Sequence, residues 1–307
     1  MTQKNNGRRV RVWATRAAAA FIILAIGCIW FYYHRPLPQP VQKSLFPGVE
    51  YERIILSGPV IIHVVSIDLQ TTGLEFLVTP PQPTTNSEGE NFQLQGQTTS
   101  DYVKRYNLDL AINGDFFEPW HSDGPFDYYP HQGDGVNPFG IAASCGDVYS
   151  EGREKPSFYG DAPTVFISES NQISFARPEN IYNALSGSHW LVKDGAVALK
   201  TRFRSQGDRH PRTVIGVDRT GAQMKWVIVD GRQPNYSTGM SLVELESFLL
   251  DNGFQNAINL DGGGSTILVQ RLSRGKTQIL SSPINHRIPG IERNVANHIG
   301  IRIRPTK

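Results

Sequence analysis

The sequence predicts a mixed α/β domain, its sheet part parallel and part antiparallel, preceded by one N-terminal transmembrane helix. Three observations predict this. Short runs rich in Ile, Val and Leu alternate with Gly, Pro and Asp turns through most of the chain. A buried strand, an amphipathic helix and a second buried strand follow one another between residues 226 and 260, the pattern of a strand-helix-strand crossover between parallel neighbours. Residues 17–33 carry no charge, which suits a bilayer span at its short end.

Taken in order, residues 1–16 are a basic tail. Lys4, Arg8, Arg9, Arg11 and Arg16 precede the apolar run without any acid. Basic residues before a span predict a cytoplasmic N-terminus, which leaves the bulk of the protein periplasmic or extracellular. Trp30-Phe31-Tyr32-Tyr33 resembles an interfacial aromatic belt. The alternative is a cleaved signal, with Ala25 and Gly27 ahead of Cys28. Either reading exports the domain. Residues 34–47 hold Pro36, Pro38, Pro40 and Pro47 and are expected to form a stiff stalk. Residues 48–307 are the remaining domain. With the six bases of residues 1–35 removed, 24 Lys and Arg face 28 Asp and Glu. That balance gives no electrostatic support for nucleic-acid binding. Cys145 is the lone cysteine after the apolar run, expected as a small buried residue.

Strands are expected at 51–56, 60–69 and 74–79, then a polar loop over 80–98. Ser100 is expected to cap a short helix to about residue 106, and 109–113 reads as a buried strand. Residues 114–138 show little regular signal, and long irregular stretches in compact domains tend to be functional. A hairpin is expected over 163–175, and strands over 213–217 and 225–230 flank the turn at Asp218. Ser241 and Glu244 form a capping box. Leu242, Leu245, Phe248 and Leu249 make one apolar helix face that Gly253 ends.

Three acids end strands beside Gly: Asp115, Asp230 and Asp261. Each alone suits a turn, but paired carboxylates are what glycoside hydrolysis requires. Asp230 and Asp261 are expected on one sheet edge. Ala111-Ile112-Asn113-Gly114-Asp115 echoes Ala257-Ile258-Asn259-Leu260-Asp261, which predicts equivalent, facing places for Asp115 and Asp261. Gly262, Gly263, Gly264 and Ser265 form a turn that lets backbone N–H groups approach an anion. Arg212, Arg232 and Arg293 carry the fork that suits phosphate. The aromatics of 116–129 suit sugar faces or core cover. A divalent metal at His121, Asp123, Asp127, His131 and Asp134 has no support from ligand spacing, and no cofactor is certain.

The segments Asn113-Gly114-Asp115-Phe116-Phe117, His210-Pro211-Arg212-Thr213, Val229-Asp230-Gly231-Arg232, Ser237-Thr238-Gly239, Asn259-Leu260-Asp261-Gly262-Gly263-Gly264-Ser265 and Glu292-Arg293-Asn294-Val295 together resemble the phosphodiester glycosidase family. The resemblance runs from about residue 49 to 303. Asp115 departs from animal members, which usually carry Gly there. The resemblance implies a hydrolase that cuts between a sugar anomeric carbon and phosphate in a sugar-1-phosphodiester or phosphoglycan, in exopolysaccharide or cell-surface glycan metabolism. It implies catalysis by Asp261 with Asp230 or Asp115. It also implies substrate contacts from Asn113, Arg212, Thr213, Arg232, Gly262, Gly263, Gly264, Ser265, Glu292 and Arg293. The rival readings are a non-catalytic module binding anionic glycan and a metal-dependent phosphodiesterase attacking phosphorus.

Overall fold

The structure is a computed structural model describing residues 3–124, 126–152, 162–199 and 207–304, with side chains from residue 13 onward and not at residue 274. The basic side chains of the tail up to Arg11 lie outside the described residues. The helix Gln3–Tyr33 leads into an eight-stranded sheet. Its order is Val41–Phe46, Val49–Leu56, Val60–Asp68, Gln223–Val229, Arg212–Asp218, Phe254–Asn259, His189–Lys193 and Ala196–Val197. A five-stranded sheet orders Thr277–Ile279, Leu268–Arg271, Leu110–Asn113, His298–Ile303 and Leu74–Val78. Another orders Asp147–Glu151, Ile141–Ser144, Asn183–Ser186, Thr164–Ile167 and Ile173–Ser174.

The expected parallel neighbours are not found. Gln223–Val229 and Phe254–Asn259 flank Arg212–Asp218, and both pair with it antiparallel. The other strand pairs of these three sheets are antiparallel too. The reason for the error is burial. Trp226 and Ile228 enter a core shared with Val65 of the same sheet and with Ile112, Leu185 and Ile299 from the other sheets. Val227 and Val229 face the opposite way, onto Leu242, Leu245 and Leu249 of the helix Leu242–Asp251. A strand covered on both faces reads as a continuous apolar run whatever its direction. Alternation is lost because no face meets water.

Local signals fared better. The capping box forms: Ser241 Oγ accepts from the Glu244 N–H at 3.3 Å, and Glu244 Oε2 accepts from the Ser241 N–H at 2.9 Å. Gly253 follows the helix at φ +75, a conformation that suits glycine. The earlier helix, Thr99–Tyr106, starts sooner than expected, with Thr98 as N-cap and Ser100 inside. Ser100 was a reasonable cap by type, but Thr98 Oγ1 takes the Asp101 N–H at 3.2 Å. Residues 114–138 contain the short strands Phe117–Glu118, His121–Gly124, Asp127–Tyr129 and Gly135–Pro138. Cys145 is exposed in a turn at φ 50, not buried. Within the stretch expected as a stalk, Val41–Phe46 is an edge strand of the large sheet, paired with Val49–Leu56.

This topology gathers the loops that matter. Arg212 pairs with Val229, and Val214 pairs with Asn259. One sheet edge therefore carries the start of Arg212–Asp218 and the ends of its two neighbours. The loops after Val229 and Asn259 emerge there together.

Candidate active site

Asn113 joins this edge to the second sheet. Its Nδ2 donates to the Asp261 carbonyl at 2.7 Å, and its Oδ1 accepts from Thr213 Oγ1 at 2.8 Å. The Asp261 N–H donates to the Gly114 carbonyl at 3.0 Å. The two echoing segments thus meet side by side, and the buried Asn113 and Thr213 hold Asp261 in place. Neither lines the cleft.

The cleft above this clasp has a volume of about 1360 Å³. Asp261 and Gly262–Gly264 lie among its lining, with Arg212, Arg232 and Arg293. Asp261 Oδ1 accepts the Gly262 N–H at 2.8 Å. Burial raises its carboxyl to about 6, against the Ser265 hydroxyl and the charges of Arg293 and Arg232, which favour the ionised form. The glycines are needed chiefly for the arginines. A Cβ on Gly263, which sits at φ +62, would lie 2.9 Å from an Arg232 guanidinium nitrogen. One on Gly264 would strike the Arg293 guanidinium, and one on Gly262 the Pro211 carbonyl at 2.8 Å. Two guanidiniums therefore rest on bare backbone beside Asp261.

Arg212 Nε donates to the Met240 carbonyl at 3.0 Å. Arg293 Nε donates to Asn285 Oδ1 at 3.0 Å, and its guanidinium carbon lies 5.4 Å from the Trp120 ring centroid. Among the described residues, none of the three arginines has a carboxylate within salt-bridge distance. Burial and then Arg232 push Arg212 down to about 10, and burial lowers Arg232 and Arg293 as well. Three arginines that burial and mutual repulsion disfavour form a site prepared for an anion.

Gly264→Ala should keep the fold, because the Arg293 side-chain end can swing aside. It should displace that guanidinium and lower kcat/KM by about tenfold, the scale of one hydrogen bond to a charged group. Wild-type kcat/KM in folded Gly264→Ala protein, by steady-state kinetics and circular dichroism, would contradict this packing.

The other expected residues lie elsewhere. Asp230 reaches the same edge as Asp261 but turns inward, 1% exposed and outside the cleft lining. Its Oδ2 lies 3.1 Å from His63 Nε2, and its Oδ1 accepts the Ser282 N–H at 2.7 Å. Ser265 is buried beneath the turn, with Arg293 Nη1 3.4 Å from its Oγ. Glu292 accepts the Ser100 N–H at 3.0 Å and so anchors the first turn of Thr99–Tyr106. His131 joins Asp127 and Asp134 on the surface, and among the described residues no three His, Cys, Asp or Glu converge as metal ligands.

Asp115 is 3% exposed and also outside the lining. Its oxygens accept the N–H groups of Phe116 and Gly140, both at 2.7 Å. Burial outweighs these bonds and raises the carboxyl to about 8. The folded state therefore holds a proton that the unfolded chain releases near pH 4. Stability is greatest below that point and falls as pH rises toward 8, by up to about 1.4 kcal/mol per unit. Urea unfolding between pH 5 and 8 should show that slope, and Asp115→Asn should flatten it. A slope unchanged by Asp115→Asn would contradict the assignment.

The sequence reading did not single out His210, Ser188, His189, His286, Arg287 or Tyr32 as cleft residues. His210 had a signal, since it opens the His210-Pro211-Arg212-Thr213 segment. Its imidazole is held below the usual range by burial and then by Arg232 and Arg212. Phe116, Trp120 and Tyr128, from the aromatic loop, do line the cleft.

The sequence profile of the phosphodiester glycosidase family matches residues 106–302, which span every cleft element named above except the helix end. The chain belongs to the phosphodiester glycosidase family. Its relatives include the SPbeta prophage-derived uncharacterized protein YomE of Bacillus subtilis, 26% identical over 75% of this chain and 37% of that protein. The human N-acetylglucosamine-1-phosphodiester alpha-N-acetylglucosaminidase is 32% identical over 36% of this chain and 23% of that enzyme. The chain thus matches well under half the length of either. Among solved structures, the auto-inhibited catalytic domain of the zebrafish N-acetylglucosamine-1-phosphodiester alpha-N-acetylglucosaminidase has a TM-score of 0.53, with 21% identity over 89% of this chain and 86% of that one. A hypothetical protein from Synechocystis has a TM-score of 0.57, with 17% identity over 87% of this chain and 64% of that one. Both share the fold: mixed α/β with mostly antiparallel sheets. The family is described by the activity of a phosphodiester glycosidase.

Proposed function

We propose that this protein hydrolyses the bond between a sugar anomeric carbon and phosphate in a sugar-1-phosphodiester, with Asp261 as its catalytic carboxylate. One observation carries the reading: Asp261 and three arginines without ion-pair partners among the described residues converge in one cleft on a triple-glycine turn. In the reaction a water oxygen bonds to the anomeric carbon. The electron pair of the carbon–oxygen bond leaves with phosphate, and the proton that the water gives up passes through solvent to the departing phosphomonoester. Positive charge grows at carbon and negative charge at the leaving oxygen. Ionised Asp261 meets the first, and Arg212, Arg232 and Arg293 meet the second. A departing phosphomonoester has a second pKa of about 6, so it leaves without strong general-acid help. A single catalytic carboxylate therefore suffices, with Glu118 and Asp208 also in the cleft lining, while Asp115 and Asp230 position the loops around it. The aromatic faces of Trp120 and Tyr128 suit the sugar ring.

The same reading places the domain in exopolysaccharide or cell-surface glycan metabolism on the outer side of a membrane, because five bases precede the apolar run. A reporter fused after Lys307 and active only in the cytoplasm would contradict that orientation. The function itself is tested with methyl-phospho-N-acetylglucosamine, the sugar being that in the animal relatives' names. Release of reducing sugar is the expected result. Binding without turnover, for this and other sugar-1-phosphodiesters, would instead make the cleft a glycan-binding module.

A further inference from the structure

We propose that the cleft works at a membrane surface, on a sugar-1-phosphodiester whose alcohol half is a lipid held in the same bilayer. The proposal rests on the glycosidase reading of Asp261 and the arginines, and adds the class of leaving group. It begins with the apolar helix. Trp13–Tyr33 is long and apolar enough to cross a membrane, and its apolar window contains no buried residue. Phe21, Ile23 and Leu24 are about 70% exposed, at 71%, 70% and 67%. Twenty-one residues rise about 30 Å, the thickness of the hydrocarbon layer. A bilayer is the cover this helix fits.

The end of that helix is fixed to the cleft. Tyr32 and Tyr33 line it. The Tyr32 hydroxyl donates to the Arg232 carbonyl at 3.4 Å, and Asn235 Nδ2 donates to the Tyr33 carbonyl at 3.0 Å. Arg35 then donates to Gln233 Oε1 at 2.8 Å and Ser282 Oγ at 2.7 Å, its guanidinium 3.7 Å over the Tyr236 ring. All these partners lie in the loop that carries Arg232 or against it. With no free stalk between, the cleft mouth stands where the helix leaves the hydrocarbon.

The mouth itself is built for that place. Trp120 is 50% exposed in the lining, and Phe126 is 72% exposed with its ring 6.3 Å from that of His286. Ile288 and Ile291 are exposed beside Arg287. Apolar rings and aliphatic chains beside arginines match the boundary of acyl chains and phosphates. A lipid phosphate could present its sugar to Asp261 while its chain stays in the bilayer. Hydrolysis would then release free sugar and leave the lipid monophosphate behind, in the atom balance given above.

The test uses the full chain in proteoliposomes. N-acetylglucosamine 1-phosphate esterified to hexadecanol is placed in the same bilayer, and the methyl ester is supplied in solution at equal bulk concentration. The lipid ester should be cleaved about tenfold faster or more, since the shared membrane concentrates it at the cleft. The advantage should vanish when the lipid ester is supplied in separate vesicles. Equal or faster cleavage of the methyl ester would overturn the lipid proposal and leave the glycosidase reading intact. Cleavage of neither ester would overturn both.

Discussion

Asp261→Asn should lower kcat on a sugar-1-phosphodiester by about a hundredfold or more while the protein stays folded. Asn keeps the size of the side chain, and its Oδ1 can still accept the Gly262 N–H that Asp261 Oδ1 accepts at 2.8 Å. The backbone clasp to Asn113 and Gly114 is untouched, because it uses only main-chain atoms of residue 261. What disappears is the charge proposed to face the anomeric carbon. Folding stability should hold or rise slightly, since a carboxyl raised to about 6 costs stability when ionised at neutral pH. Wild-type kcat/KM should fall on the acid side with an apparent pKa near 6, for the same reason. Folded Asp261→Asn protein with near-normal turnover would show the residue to be a turn former only.

Arg293→Ala should cost about a hundredfold in kcat/KM, the scale of removing one preorganised charged donor. Arg293 also favours the ionised form of Asp261. Its loss should therefore move the acid limb of the pH profile upward from about 6. The two readouts separate the roles. A merely structural arginine, tied to Asn285 and resting near Trp120, would lower stability without moving the limb. A drop of less than about threefold, with an unshifted profile, would remove Arg293 from the anion site.

Legibility in the sequence followed distance along the chain. The helix Leu242–Asp251 was readable because its cap, its apolar face and its stop all lie within a dozen residues. The triple-glycine turn was readable because its motif is contiguous. Asp230 and Asp261 show where local reading ends. Both follow a buried strand and precede Gly, yet one points into the cleft and the other into the protein. The difference comes from His63 and from the Ser282 N–H, neither of which leaves a trace beside Asp230. Strand direction failed likewise, because Arg212–Asp218 inserts between two strands that are neighbours in sequence. Tyr32 reached the cleft from 200 positions away. His286 and Arg287 lie there on a left-handed turn, at φ 52 and 60, that no local pattern announced.

Cleavage at carbon and not at phosphorus is the central claim, and hydrolysis in oxygen-18 water tests it most directly. A sugar-1-phosphodiester turned over by this protein should yield sugar carrying the heavy oxygen at its anomeric hydroxyl, with unlabelled phosphate, by mass spectrometry of both products. Label in the phosphate and none in the sugar would place the attack at phosphorus and contradict the account.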